Sequence, residues 1–446
     1  MDCKVLAGDG FSVSFTDKEV TAWGGLAVMK RMLDSMSFRE AISTWGLPAP
    51  QSNRGYDPAQ LVEQFIVSIW CGACRFVHAE TVRMDSTLSR LFGWTKAAGH
   101  KAIMRLFGRF DMLGNERVQG EAYRWLFGKI AALKQVTLDV DSTVIVRNGE
   151  QEGASRGYNP GKHGRPSHHP LLAFVAEARM VANFWLRPGN AHSANNVLQF
   201  LESTLNHLGD KTVGLLRADS GFFDDEILNW LEVKGIPYIV AARLTQPLQR
   251  QIYQASDWWA LETGLELTAM QYQAAGWTES RRLIVVRQSI KRKAAPGKSL
   301  SLFADDPDIQ GWRYGAFVTS LDLPMAEIWR IYRGRADCEN RIKELKADFG
   351  LDAFNLRDFW ATEAALGFAM LAYNLMSLFR QAVLRSRIQH TLSTLHGLVL
   401  AVGASWHNDT SRNILLLSVP RRKRAWFAGL WANASAPPVI SGLKNS

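Results

Sequence analysis

The chain has 446 residues, enough for about three domains and a sizeable core. Its 47% hydrophobic and 21% charged residues are an ordinary globular composition, which excludes disordered and collagen-like chains. Lys and Arg outnumber Asp and Glu by 52 to 42, a formal charge of +10 that points to a polyanionic partner and says nothing about fold.

The N-terminal segment MDCKVLAGDGFSVSF has no basic stretch followed by an apolar run, so no secretory signal is expected. Residues 1–130 are predicted to form a mostly helical N-terminal domain, because apolar positions recur at helical spacing in AQLVEQFIVSIWCGACRF and HKAIMRLFGRF. Within it, SRLFGWTKAAGHKAIMRLFGRF reads as two short basic helices joined by a turn, either a DNA-docking pair or an ordinary packing unit. CGAC at 71–74 has the spacing of a redox or zinc pair. It lies in an apolar helical pattern with no second pair, so core packing is expected. Four cysteines are too few and too scattered for a disulfide scaffold.

From Gln135 the hydrophobic period changes to two, and QVTLDVDSTVIVR is a predicted strand. A basic, Gly-rich loop follows, EGASRGYNPGKHGRPSHH. His163, His168 and His169 in this region lack zinc-ligand spacing, and Arg156, Lys162 and Arg165 make it a candidate DNA-facing loop. Two strands (PLLAFVAEA, MVANFWLRPG), a helix over 194–208, a buried strand ending on Asp219, a helix (DDEILNWLEVKG) and a strand (IPYIVAAR) come next. Three adjacent strands followed by alternating helices and strands predict an α/β fold, a mixed sheet with flanking helices. Residues 131–243 are its first part.

Residues 244–322 carry short alternating runs between charged turns and read as a β-rich insertion. Residues 323–390 return to helical spacing, with one helix over 325–349 and an apolar helix over 360–384. The most apolar run, Ala364–Phe379, falls short of the roughly 20 residues needed to span a bilayer, so a cytoplasmic chain with no membrane partner is expected. Residues 391–446 hold two short strand candidates, near 396–402 and 413–418, and the basic amphipathic helix RRKRAWFAGLW. The runs KRK (291–293) and RRKR (421–424) are either phosphate contacts or solvated surface. There is no GxxxxGK followed by Ser or Thr, and no GxGxxG after a strand, so ATP dependence is not expected.

Three carboxylates stand out by position. Asp141 lies in the alternating strand, and Asp139 points to the same face two residues earlier. Asp219 ends an apolar strand, where α/β sites collect and where an Asp also serves as a helix cap. Glu339 lies in the 325–349 helix. At about 100° per residue, Tyr332, Arg335, Glu339, Lys343 and Lys346 share one stripe about 80° wide, with Asp337 and Glu344 on the other side. Such a stripe is a solvated face or a site. Cutting a phosphodiester needs a nucleophilic oxygen and neutralised entering and leaving oxygens, which two divalent cations about 3.5–4 Å apart supply. Carboxylates converging from separate elements suit Mg²⁺, whereas Cys and His would suit Zn²⁺. Arg335, Lys343 and Lys346 would flank such a site and hold phosphates.

The spacing of Tyr332, Arg335, Glu339 and Lys346 resembles the YREK signature of DDE transposases from bacterial insertion sequences. LDVDST and RADSGF look like the two Asp blocks of those enzymes, and QEGASRGYNPGKHGRPSHHPLLAF with LRPGNAHSANN resembles insertion-sequence family 1380. The resemblance implies an RNase H-like core interrupted by an all-β insertion. It implies a catalytic, metal-binding triad of Asp141, Asp219 and Glu339, with Asp139 the rival for the first place. It further implies Mg²⁺, with Mn²⁺ as a substitute. Tyr332, Arg335 and Lys346 would hold a 5′ phosphate near a DNA hairpin, and Trp312 would stack on a flipped base. The implied partners are double-stranded DNA, as terminal inverted repeats and target, and a second copy of the chain in a synaptic dimer. A structure-selective nuclease on the same fold and a non-catalytic DNA-binding derivative are the alternatives.

Overall fold

The computed structural model describes residues 6–7, 10–50, 55–157, 159, 161–191, 196–290, 311–408 and 413–436; the run 291–293 lies outside them. The chain divides into two compact units. One takes described residues from Met1–Val118, Lys346–Leu356 and Trp360–Gly442, the other from Gln119–Leu345 and Arg357–Phe359.

The second unit is built on a nine-stranded sheet. Its strands are β1 (Gln135–Ser142), β2 (Leu171–Val175), β3 (Met180–Trp185), β4 (Thr212–Ala218), β5 (Tyr238–Ala241), β6 (Trp259–Glu262), β7 (Leu265–Tyr272), β8 (Arg281–Ser289) and β9 (Trp312–Thr319). Their order in space is β6-β7-β8-β9-β5-β4-β1-β2-β3. β1, β2 and β3 pair antiparallel, whereas β4 joins β1 and β5 joins β4 in parallel. The two parallel crossovers are helical: α1 (Val197–Leu208) precedes β4 and α2 (Asp225–Val233) precedes β5. Val136, Leu138 and Val140 of β1 are buried, and all five residues of β2 are buried, which explains the continuous apolar run of β2.

The expected all-β insertion takes a different form. It opens with a helix, α3 (Gln246–Gln254), and its strands prolong the central sheet. β9 pairs antiparallel with β5 from Phe317↔Ala241 to Thr319↔Ile239, so the backbone groups on that edge of β5 are satisfied by the insertion itself. Arg281 of β8 fastens this part to α2, donating from Nη1 to Asp225 (2.7 Å) and from Nε to Glu232 (2.8 Å).

The helix expected over 325–349 is two: α4 (Met325–Arg333) and α5 (Ala336–Asp348). Gly334 and Arg335 form the turn between them. The first unit has its own core around the helix Phe359–Leu378, whose side chains from Ala361 to Leu378 are buried. With the turns that follow it, this helix is long and apolar enough to cross a membrane by length and composition, more than the sequence run indicated. Its burial inside the unit accounts for its apolarity. Phe107 stacks on Phe368 of this helix, Phe65 meets Phe107 and Phe354 edge-on, Phe76 meets Phe354 edge-on, and Trp70 donates its indole N–H to Ala372 O at 3.1 Å. The residues expected as a strand near 396–402 form helical turns to Leu400, and the strand falls at Ala404–Asn408.

The two basic helices of this unit are Ser86–Leu91 and His100–Phe107. Polar side chains of the helix Pro58–Trp70 hold the turn between them. Gln60 donates to Lys96 O, Gln64 both donates to and accepts from the Ala98 backbone, and Glu63 accepts from the Trp94 indole. CGAC lies at the end of this helix, not inside it: Gly72 has φ +91° in the turn that terminates it.

Candidate active site

β1 and β4 are parallel neighbours with Val140 opposite Ala218, so Asp141 and Asp219 stand side by side at the carboxyl ends of adjacent strands. Each aspartate follows the last paired residue of neighbouring strands, which lie about 4.8 Å apart. Asp219 also accepts from Gly221 N at 2.9 Å and caps the short turn Ser220–Phe222, so the capping role and the site position coincide.

Asp141 is buried. Its Oδ2 pairs with Arg335 Nη2 at 3.0 Å and lies 3.7 Å from the Cys338 thiol, and its Oδ1 accepts from Ser142 N at 2.8 Å. Burial pushes its carboxyl up to about 6, against the pull of the Arg335 guanidinium and with added repulsion from Asp219 and Glu339. The three carboxylates thus share one electrostatic neighbourhood. Glu339 itself is exposed, in the first turn of α5.

This shift has a measurable sign. The folded-state value of Asp141 exceeds the usual 3.8, so its contribution to stability is complete below about pH 4 and is lost as the pH rises through about 6. Relative to Asp141→Asn, the metal-free chain is expected to lose about 2–3 kcal/mol across that window. Denaturant unfolding of both chains at several pH values reads the difference, and a pH-independent gap contradicts the assignment.

Arg335, expected to flank the carboxylates and hold phosphate, is buried against Asp141 and Val140 O, next to the turn at Gly334. Among the described residues its Nε–H has no hydrogen-bond acceptor. Tyr332, at the end of α4, lies on Phe317 (4.3 Å between ring centres) with its hydroxyl 3.4 Å from Ala218 O. Burial pushes its hydroxyl up to about 12. Lys343 is exposed one turn after Glu339, and Lys346 is half-buried further along α5. Trp312 is not brought to the carboxylates. It lies five positions along β9 from Phe317, about 17 Å at strand rise, where the Arg287 guanidinium is sandwiched between it (4.6 Å) and Trp258 (4.0 Å).

Asp139, the rival first carboxylate, is fully buried in a bidentate pair with Arg217, at 2.7 and 2.9 Å, with Arg341 Nη1 at 3.9 Å. Sequence reasoning missed Arg217 and Arg341. The available signal was a lone Arg in an apolar strand, VGLLRAD, adjacent to a strand with an inward Asp. His168 is buried between Arg147 Nε (3.1 Å) and Glu152 O (2.9 Å), and His163 is exposed. Among the described residues no three His, Cys, Asp or Glu side chains converge closely enough to cage a metal ion unaided. The basic loop exposes Arg156, Lys162 and Arg165. Arg421, Arg422 and Arg424 are exposed in the first turn of the helix Arg421–Asn433, an end where the helix dipole disfavours cations.

The family described as Transposase DDE domain group 1 matches residues 4–434 of the chain. Among solved structures, the chain is similar to a piggyBac transposase in a cryo-EM synaptic complex with hairpin DNA. The two share 11% identity and a TM-score of 0.44, over 86% of this chain and 82% of that one. No curated protein sequence matches the chain.

Proposed function

The chain belongs to the Transposase DDE domain group 1 family, and from that membership we propose that it cuts the ends of a mobile DNA element and joins the freed 3′-OH strand to target DNA. The observation that carries the reading is the acidic centre: Asp141 and Asp219 on adjoining parallel strand ends, with the charge of Glu339 bearing on the same carboxyl. The strands β3-β2-β1-β4-β5 with their flanking helices support an RNase H-like core.

Asp141, Asp219 and Glu339 would hold the divalent ions, Mg²⁺ with Mn²⁺ as a substitute. Their oxygen donors fit such ions, which are commonly held by one or two carboxylates plus water and phosphate oxygens rather than by an all-protein cage. The ions would lower the pKa of water and neutralise charge on the entering and leaving oxygens. Around them, Arg335, Tyr332, Lys343 and Lys346 would hold phosphate on the 5′ side. Trp312 would stack on a base away from the carboxylates.

Water attacks the phosphodiester at the element end and releases a 3′-OH. That hydroxyl attacks the opposite strand to give a hairpin, a second water opens it, and the 3′-OH finally displaces a target phosphodiester oxygen. The exposed Arg156, Lys162 and Arg165 and the 421–424 run would track DNA phosphates. The working form is a homodimer bridging two ends, on the bacterial nucleoid in the cytoplasm.

The test is strand transfer with a pre-cleaved end and a target plasmid in Mg²⁺. Joined product is expected. Cutting of an intact end without joining would make the chain a nuclease, and binding with neither would make it a non-catalytic DNA-binding protein.

A further inference from the structure

We infer that Arg217 is a positioning residue for Glu339: it clamps the end of α4 to β1 and so sets where α5 begins. The inference rests on the reading of Glu339 as a metal ligand. Arg217 lies two residues before Asp219 on β4 and is buried. Its guanidinium makes three contacts on two other elements. Nε and Nη2 grip both oxygens of Asp139 on β1, and Nη1 donates to Ile331 O at 2.6 Å. Ile331 O is among the last carbonyls of α4, which lack a full set of helical donors, and a cation there also opposes the negative end of the helix dipole.

A second anchor lies beyond Glu339. Arg341 of α5 reaches the same Asp139 at 3.9 Å and donates to Ala176 O at 3.2 Å. Glu339 is therefore bracketed between two attachments, at Ile331 and at Arg341, and both converge on Asp139. Gly334 lies within the bracket: a Cβ there would come 2.7 Å from Arg217 Nη1 and 3.3 Å from Ile331 O, so a larger residue forces the guanidinium or the turn to shift. Stability alone gives a weak reason for such an arrangement, since buried ion pairs are commonly replaced by apolar residues without loss. Its distinctive product is a fixed geometry. Lys in place of Arg217 keeps the charge and loses the planar fork that spans both elements.

The test compares wild type, Arg217→Lys and Gly334→Ala by thermal melting, affinity for a DNA end, single-turnover cleavage, and Mn²⁺ affinity of the complex with a pre-cleaved end, read by the EPR signal of free Mn²⁺. Ala favours helix over Gly, so a purely structural role leaves Gly334→Ala as active as it is folded. The positioning role predicts cleavage slower by about a hundredfold and Mn²⁺ binding weaker by about tenfold in both variants, at unchanged end affinity. Losses that merely follow the folded fraction, or a folded variant that cuts and binds Mn²⁺ like wild type, overturn it. If Arg217→Lys does not fold, Gly334→Ala decides alone. A wild-type chain that neither binds Mn²⁺ nor cuts would instead bring down the reading of Glu339, and the inference with it.

Discussion

Glu339→Gln is expected to cut DNA ends on the order of 10³-fold more slowly than wild type, at nearly unchanged affinity for the end. Gln preserves the shape of the side chain and removes only its charge. Glu339 is exposed in the first turn of α5, so the substitution changes little in the fold. What it removes is one carboxylate from a centre whose charges already act on one another. For the proposed role of Glu339 as a metal ligand, its loss is worth several kcal/mol of barrier. Single-turnover cleavage in Mg²⁺ and an electrophoretic mobility shift separate the two effects, and normal cutting by Glu339→Gln would remove this residue from the triad. A second readout follows from the same electrostatics. Glu339 is one of the groups raising the Asp141 carboxyl, so Glu339→Gln lowers the pH window over which the metal-free chain loses stability.

The largest stability effect is expected at Trp70. Its side chain has no exposed surface, and its indole N–H is bonded to Ala372 O in the central helix of the first unit. Trp70→Ala removes the whole ring and leaves a cavity, at a cost of about 3–5 kcal/mol. That is a large share of the about 5–15 kcal/mol that separates folded from unfolded chains. Trp70→Phe keeps most of the volume and gives up the hydrogen bond, so it should cost only about 1–2 kcal/mol. Urea unfolding of the three chains measures the series, and equal losses for Ala and Phe would mean that the hydrogen bond, not the packing, dominates.

Much of this architecture is legible in the residues. The period-two run around Asp141 and the apolar strand before Asp219 locate β1 and β4, and the alternation of strands and helices from Gln135 to Ala241 gives the mixed sheet. Other features depend on partners distant in the chain. That β9 completes the edge of β5 is invisible locally, because period-two runs identify strands without their neighbours. The division of α4 from α5 is hidden for a different reason: Gly334 has nearly helical dihedrals, φ −60° and ψ −19°, so the stripe looks continuous across it. The residues around 396–402 read as a strand because Leu398, Val399 and Leu400 are apolar in succession, a pattern that a buried helical turn satisfies equally well. The candidate carboxylates are singled out in the sequence by type and position. The burial of Arg335 against Asp141, next to the turn at Gly334, is not.

The pairing of distant segments also governs when an acidic centre can exist at all. Arg217 meets Asp139 across 78 residues, and Cys338 meets Asp141 across 197. Contacts of such separation must overcome loop-closure entropy before they return any stabilisation, and chains dominated by them fold slowly. A chain emerging from the ribosome carries Asp141 long before α5 has been made. A product truncated ahead of Arg335 therefore has both aspartates but lacks Glu339 and the Arg335 and Cys338 side chains that pack on Asp141.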